Sequence, residues 1–171
     1  MGASAISQAD PGLLEWLAGH DVEYEVHEHA LAMTARATAK AEGVEAHTFA
    51  KVVAVRTPDT RSAFLVIETT DRLDLPKAAL ALGVDTVRLL NEAELAALAP
   101  SCEIGAVPAI GSLYGVPMVA DHAVRDDRDI SFNAGSHRCS VRVDRAGWEQ
   151  ATGVTYADLA ADRGDPAWAR S

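Results

Sequence analysis

Cysteine is scarce in this sequence, and the motifs that bind nucleotide cofactors are missing. Only Cys102 and Cys139 occur in 171 residues, and they form no Cys-x-x-Cys pair. A disulfide-stabilised secreted domain would need more cysteines, so we expect two reduced thiols. Neither a P-loop nor a Gly-x-Gly-x-x-Gly sequence is present, so nothing supports nucleotide-cofactor chemistry. His27 and His29 could share a metal ion, but no third ligand follows at a diagnostic spacing. We therefore expect no cofactor and no metal.

Long apolar runs and basic residues are scarce as well. No run is long enough to span a membrane, and no signal peptide or lipidation motif is present, so we expect a cytoplasmic protein without a membrane partner. The net charge is −10, and only three of the fifteen basic residues are lysines. Proteins that bind nucleic acid along its backbone usually carry a basic face. We therefore expect no DNA partner, and contact with only a short part of any RNA.

The chain does contain a succession of strand-like and helix-like segments. Strands are predicted over 22–27, 49–56, 63–67, 84–90, 116–121, 130–132 and 139–143, and helices over 11–18, 34–42, 71–82, 92–98, after Asp144, and over 156–163. Antiparallel hairpins dominate over regular β-α-β alternation, which predicts an α+β fold with a curved, largely antiparallel, barrel-like sheet flanked by helices. We expect one domain over 1–171, with its core at about 13–150 and a C-terminal helix and tail at 152–171.

Three short stretches carry the chemistry. The segment 104–121 reads IGAVPAIGSLYGVPMVAD, in which glycine and proline alternate with apolar residues. Such a loop holds a set shape and exposes backbone N–H groups at close range. Lys51 is the one charge among apolar neighbours on its face of the strand 49–56, so its ammonium group needs an anionic or carbonyl partner, or water. The third stretch is a small polar loop over 131–137.

In order along the chain, these features resemble the YbaK/ProX family of aminoacyl-tRNA deacylases. Members of this family are free-standing relatives of the editing domain inserted in bacterial prolyl-tRNA synthetases. The matching motifs are Lys51, LDLPKAALALG at 73–83, GAVPAIG at 105–111 and NAGSH at 133–137. The loop proline stands one place earlier than in the best-known members, and His137 stands in a loop that is often richer in glycine or lysine there. The resemblance implies the same α+β fold and hydrolysis of an aminoacyl-tRNA ester.

The resemblance also assigns roles to individual residues. The catalytic candidates are Lys51, Gly105 and Gly111. The substrate-binding candidates are Thr34, Ala106, Val107, Pro108, Ile110, Asp121, Asn133, Ala134, Gly135, Ser136 and His137. The ester is already activated, and a held water or the neighbouring ribose 2′-hydroxyl can take part in the reaction, so the protein needs mainly to bind the carbonyl, to stabilise the oxyanion and to exclude wrong side chains. We expect loop glycines to serve through their backbone, so that an added Cβ would harm turnover more than stability.

Competing interpretations remain open. A serine–histidine–aspartate hydrolase is weakly supported, because Ser112 directly follows a glycine and the Gly-x-Ser-x-Gly elbow is absent. Asp121 could be a turn residue, and Lys77 a solvated helix lysine. We predict trans-editing of a mischarged aminoacyl-tRNA, whose acceptor end is the expected partner. The alternative is a non-catalytic module that docks on a tRNA or an aminoacyl-tRNA synthetase. The released amino acid (Ala, Cys, Pro, Ser or Thr), the tRNA and the oligomeric state stay undetermined.

Overall fold

The computed structural model of the chain describes residues 9–28 and 48–161. Its helices are α1 (Pro11–Gly19), α2 (Leu75–Leu82), α3 (Glu92–Leu98), α4 (His122–Arg125) and α5 (Arg145–Thr152), with a 3₁₀ turn at Gly111–Tyr114. Its strands are β1 (Tyr24–Glu28), β2 (Ala50–Arg56), β3 (Ser62–Glu68), β4 (Arg88–Leu89), β5 (Met118–Asp121), β6 (Asp129–Ser136), β7 (Cys139–Asp144) and β8 (Thr155–Ala157). None of the helices in these ranges has the length and apolar content required to cross a bilayer.

The strands form two sheets, which confirms the predicted mixed α+β fold. One sheet has the order β1-β7-β6, and the other has the order β4-β2-β3-β5-β8. Four of the pairings are antiparallel, whereas β3–β5 and β5–β8 are parallel. A single parallel bridge between Phe49 and Ser131 joins the start of β2 to β6. The described strands do not close into a barrel, because this bridge does not extend into a ladder.

The core lies on the side of β6 and β7 that faces α1 and α5. Phe132, Val141 and Trp148 are buried there together with Ala50 from β2. The Trp148 indole donates to the carbonyl of Ala109 at 2.8 Å, which ties α5 to the glycine-rich segment. A second cluster on the opposite face of β2 and β3 includes Val55, Ile67 and Ala78. Aliphatic residues make up most of both clusters, as the low aromatic content predicts.

Helix boundaries follow local capping chemistry. Asn91 and Glu94 form a complete capping box at the start of α3. The Asp74 side chain accepts from the amide of Lys77, and Asp144 caps α5 in the same way. Gly83 ends α2 at φ +70°, where a residue without a Cβ is favoured. The ends at Gly83, Asn91 and Asp144 match the sequence-based expectations. The predicted start of α2 at residue 71 is wrong, because Asp74 caps the helix, which begins at Leu75, and the Asp74 amide donates to the carbonyl of Leu159.

Several segments differ from the sequence-based expectations. The predicted helix at 156–163 is wrong where it can be compared, because Thr155–Ala157 form β8 in parallel pairing with β5. The Asp121 carboxylate accepts the amides of Leu159 and Ala160 at 2.8 and 3.1 Å, and these bonds hold the chain extended there. The predicted strand at 84–90 is reduced to Arg88–Leu89. Residues 133–136 continue β6 through a bulge rather than forming a loop. The predicted helix at 34–42 lies outside the described residues.

Candidate functional site

The candidate site begins where β2 and β6 separate. The two strands run parallel from the bridge between Phe49 and Ser131, and two residues further along each strand come Lys51 and Asn133. Side chains two apart on a strand share a face. Ala50, Phe132 and Ala134, which alternate with them, are buried in the core on the other face. Lys51 and Asn133 therefore point to the same side of the sheet, away from that core.

The first half of the glycine-rich loop, residues 103–107, packs beside β6. The amide of Glu103 donates to the carbonyl of Gly135 at 2.8 Å, and the amide of Gly135 donates to the carbonyl of Ala106 at 2.8 Å. Together with the bond from the amide of Ala106 to the carbonyl of Glu103 at 3.1 Å, these bonds hold residues 103–106 as a turn against the end of β6. Gly135 has φ +94°, and an added Cβ there would lie 2.9 Å from the Cβ of Asp10 at the start of α1. The sequence thus places glycine where the loop, β6 and α1 approach closely.

His137 fastens the same half of the loop from the side. Its ring Nε2 lies 2.7 Å from the carbonyl oxygen of Ile104, and its backbone amide donates to the carboxylate of Glu103 at 3.2 Å. A carbonyl oxygen only accepts, so Nε2 carries the proton and Nδ1 is left as an acceptor. Nδ1 is buried and has no hydrogen-bond partner among the described residues. His137, predicted as a substrate contact, therefore also holds the loop in place.

Lys51 carries a charge without a direct ion pair at this site. Its ammonium group makes no hydrogen bond or ion pair with any described residue, and it is half-buried. Burial lowers the pKa of Lys51 from its usual value; the nearby Asp71 carboxylate opposes this shift, and the Arg72 guanidinium adds to it. A cation that is partly desolvated and unpaired gains most from an anionic ligand. The structure therefore leaves Lys51 available to a phosphate or a developing oxyanion.

Ser140 is a polar residue of the site that the sequence analysis did not single out. It pairs with Asn133 across β6 and β7, so their side chains lie next to each other on the face shared with Lys51. The Ser140 hydroxyl and the Asn133 side-chain oxygen are both buried without a hydrogen-bond partner in the described part of the chain. Unpartnered buried polar atoms are uncommon and need an explanation. The available signal was the alternation of Ser140 and Arg142 with Cys139, Val141 and Val143, which marks a polar face.

An apolar cavity of about 200 Å³ lies on the other side of β2, next to the loop. Its walls include Ala54, Phe64 and Leu90, and Gly105 and Val107 close it on the loop side. The amides of Gly105 and Val107 donate to no group in the described residues. The loop therefore places two uncommitted backbone donors at the edge of an apolar space. Neither the cavity nor its position was predicted from the sequence.

The second half of the loop belongs to the protein's interior. Ile110 and Ala109 are fully buried in the main core. Gly111 starts the 3₁₀ turn, and its carbonyl accepts the amide of Val116 at 3.1 Å. An added Cβ on Gly111 would lie 2.5 Å from the carbonyl oxygen of Val116, so this glycine is required by packing. The structure thus separates Gly111 from Gly105, although both were assigned to one catalytic loop.

Asp121 and Lys77 do not join this cluster. Asp121 lies at the end of β5, and its carboxylate accepts hydrogen bonds from backbone amides of α4 and of residues 159 and 160. The Lys77 ammonium donates to the carbonyl of Ala160 at 2.8 Å and pairs with Asp158. Asp121 thus matches its interpretation as a turn residue, whereas the Lys77 ammonium is bound to the chain after β8 rather than solvated. Thr34 lies outside the described residues.

Thiol chemistry has little support in this region. Cys102 lies next to the loop, with its sulfur 3.2 Å from the hydroxyl of Tyr114. Burial raises the pKa of the Cys102 thiol, so the thiolate is disfavoured at neutral pH. Burial is also the main cause that raises the pKa of Tyr114. Cys139 is buried in the core.

Comparison with known protein families assigns the chain. A sequence model described as the aminoacyl-tRNA editing domain matches residues 29–151, which include Lys51, the whole glycine-rich loop, and residues 133–137. The chain belongs to the aminoacyl-tRNA editing domain family. This membership confirms the resemblance found in the sequence. No curated protein sequence matches this editing domain.

Solved structures agree with the fold of this editing domain. A protein described as a candidate trans-editing enzyme for prolyl tRNA synthetase is similar with a TM-score of 0.77 and 22% identity, over 89% of this chain and 98% of that one. The hypothetical protein APE2540 is similar with a TM-score of 0.80 and 19% identity, over 88% and 99% of the two chains. At these identities the likeness concerns the fold alone.

Proposed function

We propose that this editing domain hydrolyses the ester bond of a mischarged aminoacyl-tRNA in trans, releasing a small amino acid and free tRNA. The proposal is supported by the order of contacts along β6: Lys51 and Asn133 follow the bridge that joins β2 to β6, and residues 103–106 are hydrogen-bonded to Gly135, two residues after Asn133. This region offers an unpaired cation and buried polar side chains without partners on one face, and uncommitted backbone donors beside the cavity on the other side of β2. An aminoacyl ester at the end of a tRNA presents phosphate, carbonyl and hydroxyl groups that complement them.

The reaction requires little of the protein beyond placement and charge stabilisation. A water molecule attacks the carbonyl carbon and gives up a proton, which the adjacent ribose 2′-hydroxyl can pass on. The bond from that carbon to the ribose oxygen breaks as the ribose oxygen takes the proton, which leaves a free amino acid and a free tRNA. The free amides of Gly105 and Val107 are the proposed donors to the oxyanion, each contributing on the order of 10²–10³ in rate. Lys51 is the proposed contact for the terminal phosphate or for the carbonyl oxygen. No side-chain nucleophile is needed.

The apolar cavity supports a choice among the candidate amino acids. Its described walls offer no side-chain hydrogen-bond partner, so a hydroxyl group placed there would lose its bonds to water. Alanine, cysteine and proline are therefore favoured over serine and threonine. The expected preference is modest, about 10²-fold or less, because an apolar pocket rejects an added hydroxyl only weakly.

The decisive experiment is a deacylation panel on tRNAs charged with Ala, Cys, Pro, Ser or Thr, comparing the wild type with Lys51→Ala. We expect turnover on at least one of the apolar members and a loss of about 10²-fold or more in the variant. Arg61→Ala is the control, because Arg61 pairs with Asp59 in the β2–β3 turn, at the other end of β2. Absence of turnover on every member, with tRNA binding retained, would instead support a non-catalytic docking module.

A further inference from the structure

Arg72 is a second cation near Lys51 and, unlike the half-buried Lys51, it is exposed. It lies in the turn that follows β3, where the amide of Thr69 donates to the carbonyl of Phe49 at 2.8 Å. This bond brings the turn to the start of β2, because Phe49 stands two residues before Lys51. The Arg72 side chain is exposed and makes no ion pair or hydrogen bond with the described residues.

The turn also lies on the same face as Lys51. Leu73 and Leu75, which follow Arg72, pack in the cluster that contains Val53 and Ile67. Val53 is two residues from Lys51 on β2 and shares its face. The guanidinium of Arg72 is close enough to Lys51 to lower the pKa of that lysine by charge repulsion. Two like charges are thus held near each other without a direct ion pair at either side chain, although the nearby Asp71 carboxylate offsets part of the repulsion felt by Lys51.

The backbone carbonyl of Arg72 fixes this arrangement. It accepts the amide of Ala161 at 2.7 Å, and Leu73 bridges to Ala160. The turn is therefore anchored on both sides, to Phe49 and to the chain after β8, while the Arg72 side chain remains exposed to ligands. In contrast, most arginines of the described residues are paired, as Arg56 and Arg88 are with Glu94.

We propose that Arg72 is a phosphate-binding residue that acts together with Lys51, so that the two cations contact two backbone phosphates at the single-stranded end of the tRNA. Repulsion between the cations is relieved when phosphates bind, and guanidinium groups suit phosphate geometry. The inference rests on the proposed function, since it names the part of the substrate that this face receives. It also explains how a protein of net charge −10 binds RNA through a short contact.

The test compares Arg72→Gln with Arg128→Gln, which removes an equally exposed arginine at the start of β6 that has no side-chain partner in the described ranges. Binding of a short RNA oligonucleotide that ends in CCA and carries no amino acid is measured as a function of salt concentration. The values of kcat and KM are measured for an aminoacyl-tRNA that the wild type hydrolyses in the panel. For Arg72→Gln we expect affinity to fall about tenfold, the log–log salt slope to shrink by about 0.7, and KM to rise with kcat unchanged. Arg72→Lys should recover most of the slope.

The outcomes separate this inference from the proposed function. Equal affinity and equal salt slopes for Arg72→Gln and Arg128→Gln would overturn the role of Arg72, even where deacylation proceeds normally. A slope that depends on Arg72, in a protein that hydrolyses no member of the panel, would support the phosphate site and refute the proposed hydrolysis. Hydrolysis of an aminoacyl ester of adenosine, which has no phosphate, should be the same in the wild type and in Arg72→Gln.

Discussion

The two halves of the glycine-rich loop are adjacent in sequence and alike in composition, yet they do different work. Residues 103–107 are hydrogen-bonded to β6, and Gly105 and Val107 among them line the apolar cavity with amides that donate to no group in the described residues. Residues 109–111 are buried in the core or pressed against the following turn. The difference shows that one glycine-rich segment contains both positions that leave backbone amides free beside a cavity and positions that packing requires.

Gly105 and Gly111 make this difference concrete. Gly105 has φ +83°, and an added Cβ would meet the ring of His137 at 3.5 Å, an ordinary contact distance. Gly111 has no positive φ, but an added Cβ would lie 2.5 Å from a backbone carbonyl oxygen. One glycine is required by backbone conformation beside the site, and the other by lack of space.

Among the glycine variants of the loop, the largest effect on turnover is expected from Gly105→Ala. The substitution strains a left-handed residue by about 1 kcal/mol, which should lower Tm by about 2–4 °C. A displacement of about 1 Å in an oxyanion donor can cost on the order of 10²-fold in rate. We therefore expect kcat for deacylation to fall by about 10²-fold in a protein that melts nearly normally. Unchanged turnover would show that the first half of the loop is scaffold like the second.

The converse effect is expected from Gly111→Ala. The sequence alone suggested that this variant would lose activity while keeping its stability, and the geometry reverses that expectation. Overpacking against the carbonyl of Val116 should cost about 2–3 kcal/mol of unfolding free energy, or roughly 5–10 °C in Tm. Activity per folded molecule, measured well below Tm, should stay within a few-fold of the wild type.

Gly115 offers a matched control for both variants. It follows the 3₁₀ turn at φ +68°, and an added Cβ there would meet nothing within 4 Å. Gly115→Ala should therefore lower Tm as little as Gly105→Ala while leaving turnover unchanged. If all three variants lost activity in proportion to their loss of stability, the two halves of the loop would not differ in function.

Local features of this fold could be predicted from the sequence, because they depend on residues a few positions apart. The capping box of Asn91 and Glu94, the turn after Arg56 and the two-residue alternation around Lys51 are examples. Membership of the editing family also followed from the order of short motifs. The aliphatic core followed from composition.

Long-range features could not be predicted in this way. The parallel bridge between Phe49 and Ser131 joins residues more than eighty positions apart, and it brings the strand that carries Lys51 to the strand that carries Asn133. Residues 156 and 157 were assigned to a helix over 156–163 because local propensity does not record the pairing with β5. The division of the loop was hidden for the same reason, since Val116 and His137 restrict glycines of identical local appearance.

The smallest effect concerns the support of the first half of the loop. The cavity beside it is walled in part by Leu95 of α3, and the next residue towards the N-terminus, Glu94, anchors this helix. The Glu94 carboxylate pairs with Arg56 at 2.7 Å and with Arg88 at 2.8 Å. The hydrogen bond from Arg88 is the main cause that lowers the pKa of Glu94 from 4.5 to about 2, with the amide of Asn91 contributing. No such ion pair supports the second half of the loop, which rests on the buried core within the described residues.

Because the pKa of Glu94 is lower in the folded protein, its contribution to stability is complete above about pH 4.5 and is lost as the pH falls towards 2. Glu94→Gln should therefore lower Tm slightly at neutral pH, and the difference from the wild type should vanish near pH 2. Glu92→Gln, in the first turn of the same helix, is the control and should show a smaller difference. As the pH is lowered towards 3, protection of backbone amides from hydrogen exchange should be lost in α3 at a higher pH than at residues 109–111. Loss of protection at the same pH in both places would mean that the two halves of the loop share one support, and the contrast between them would then be confined to their glycines.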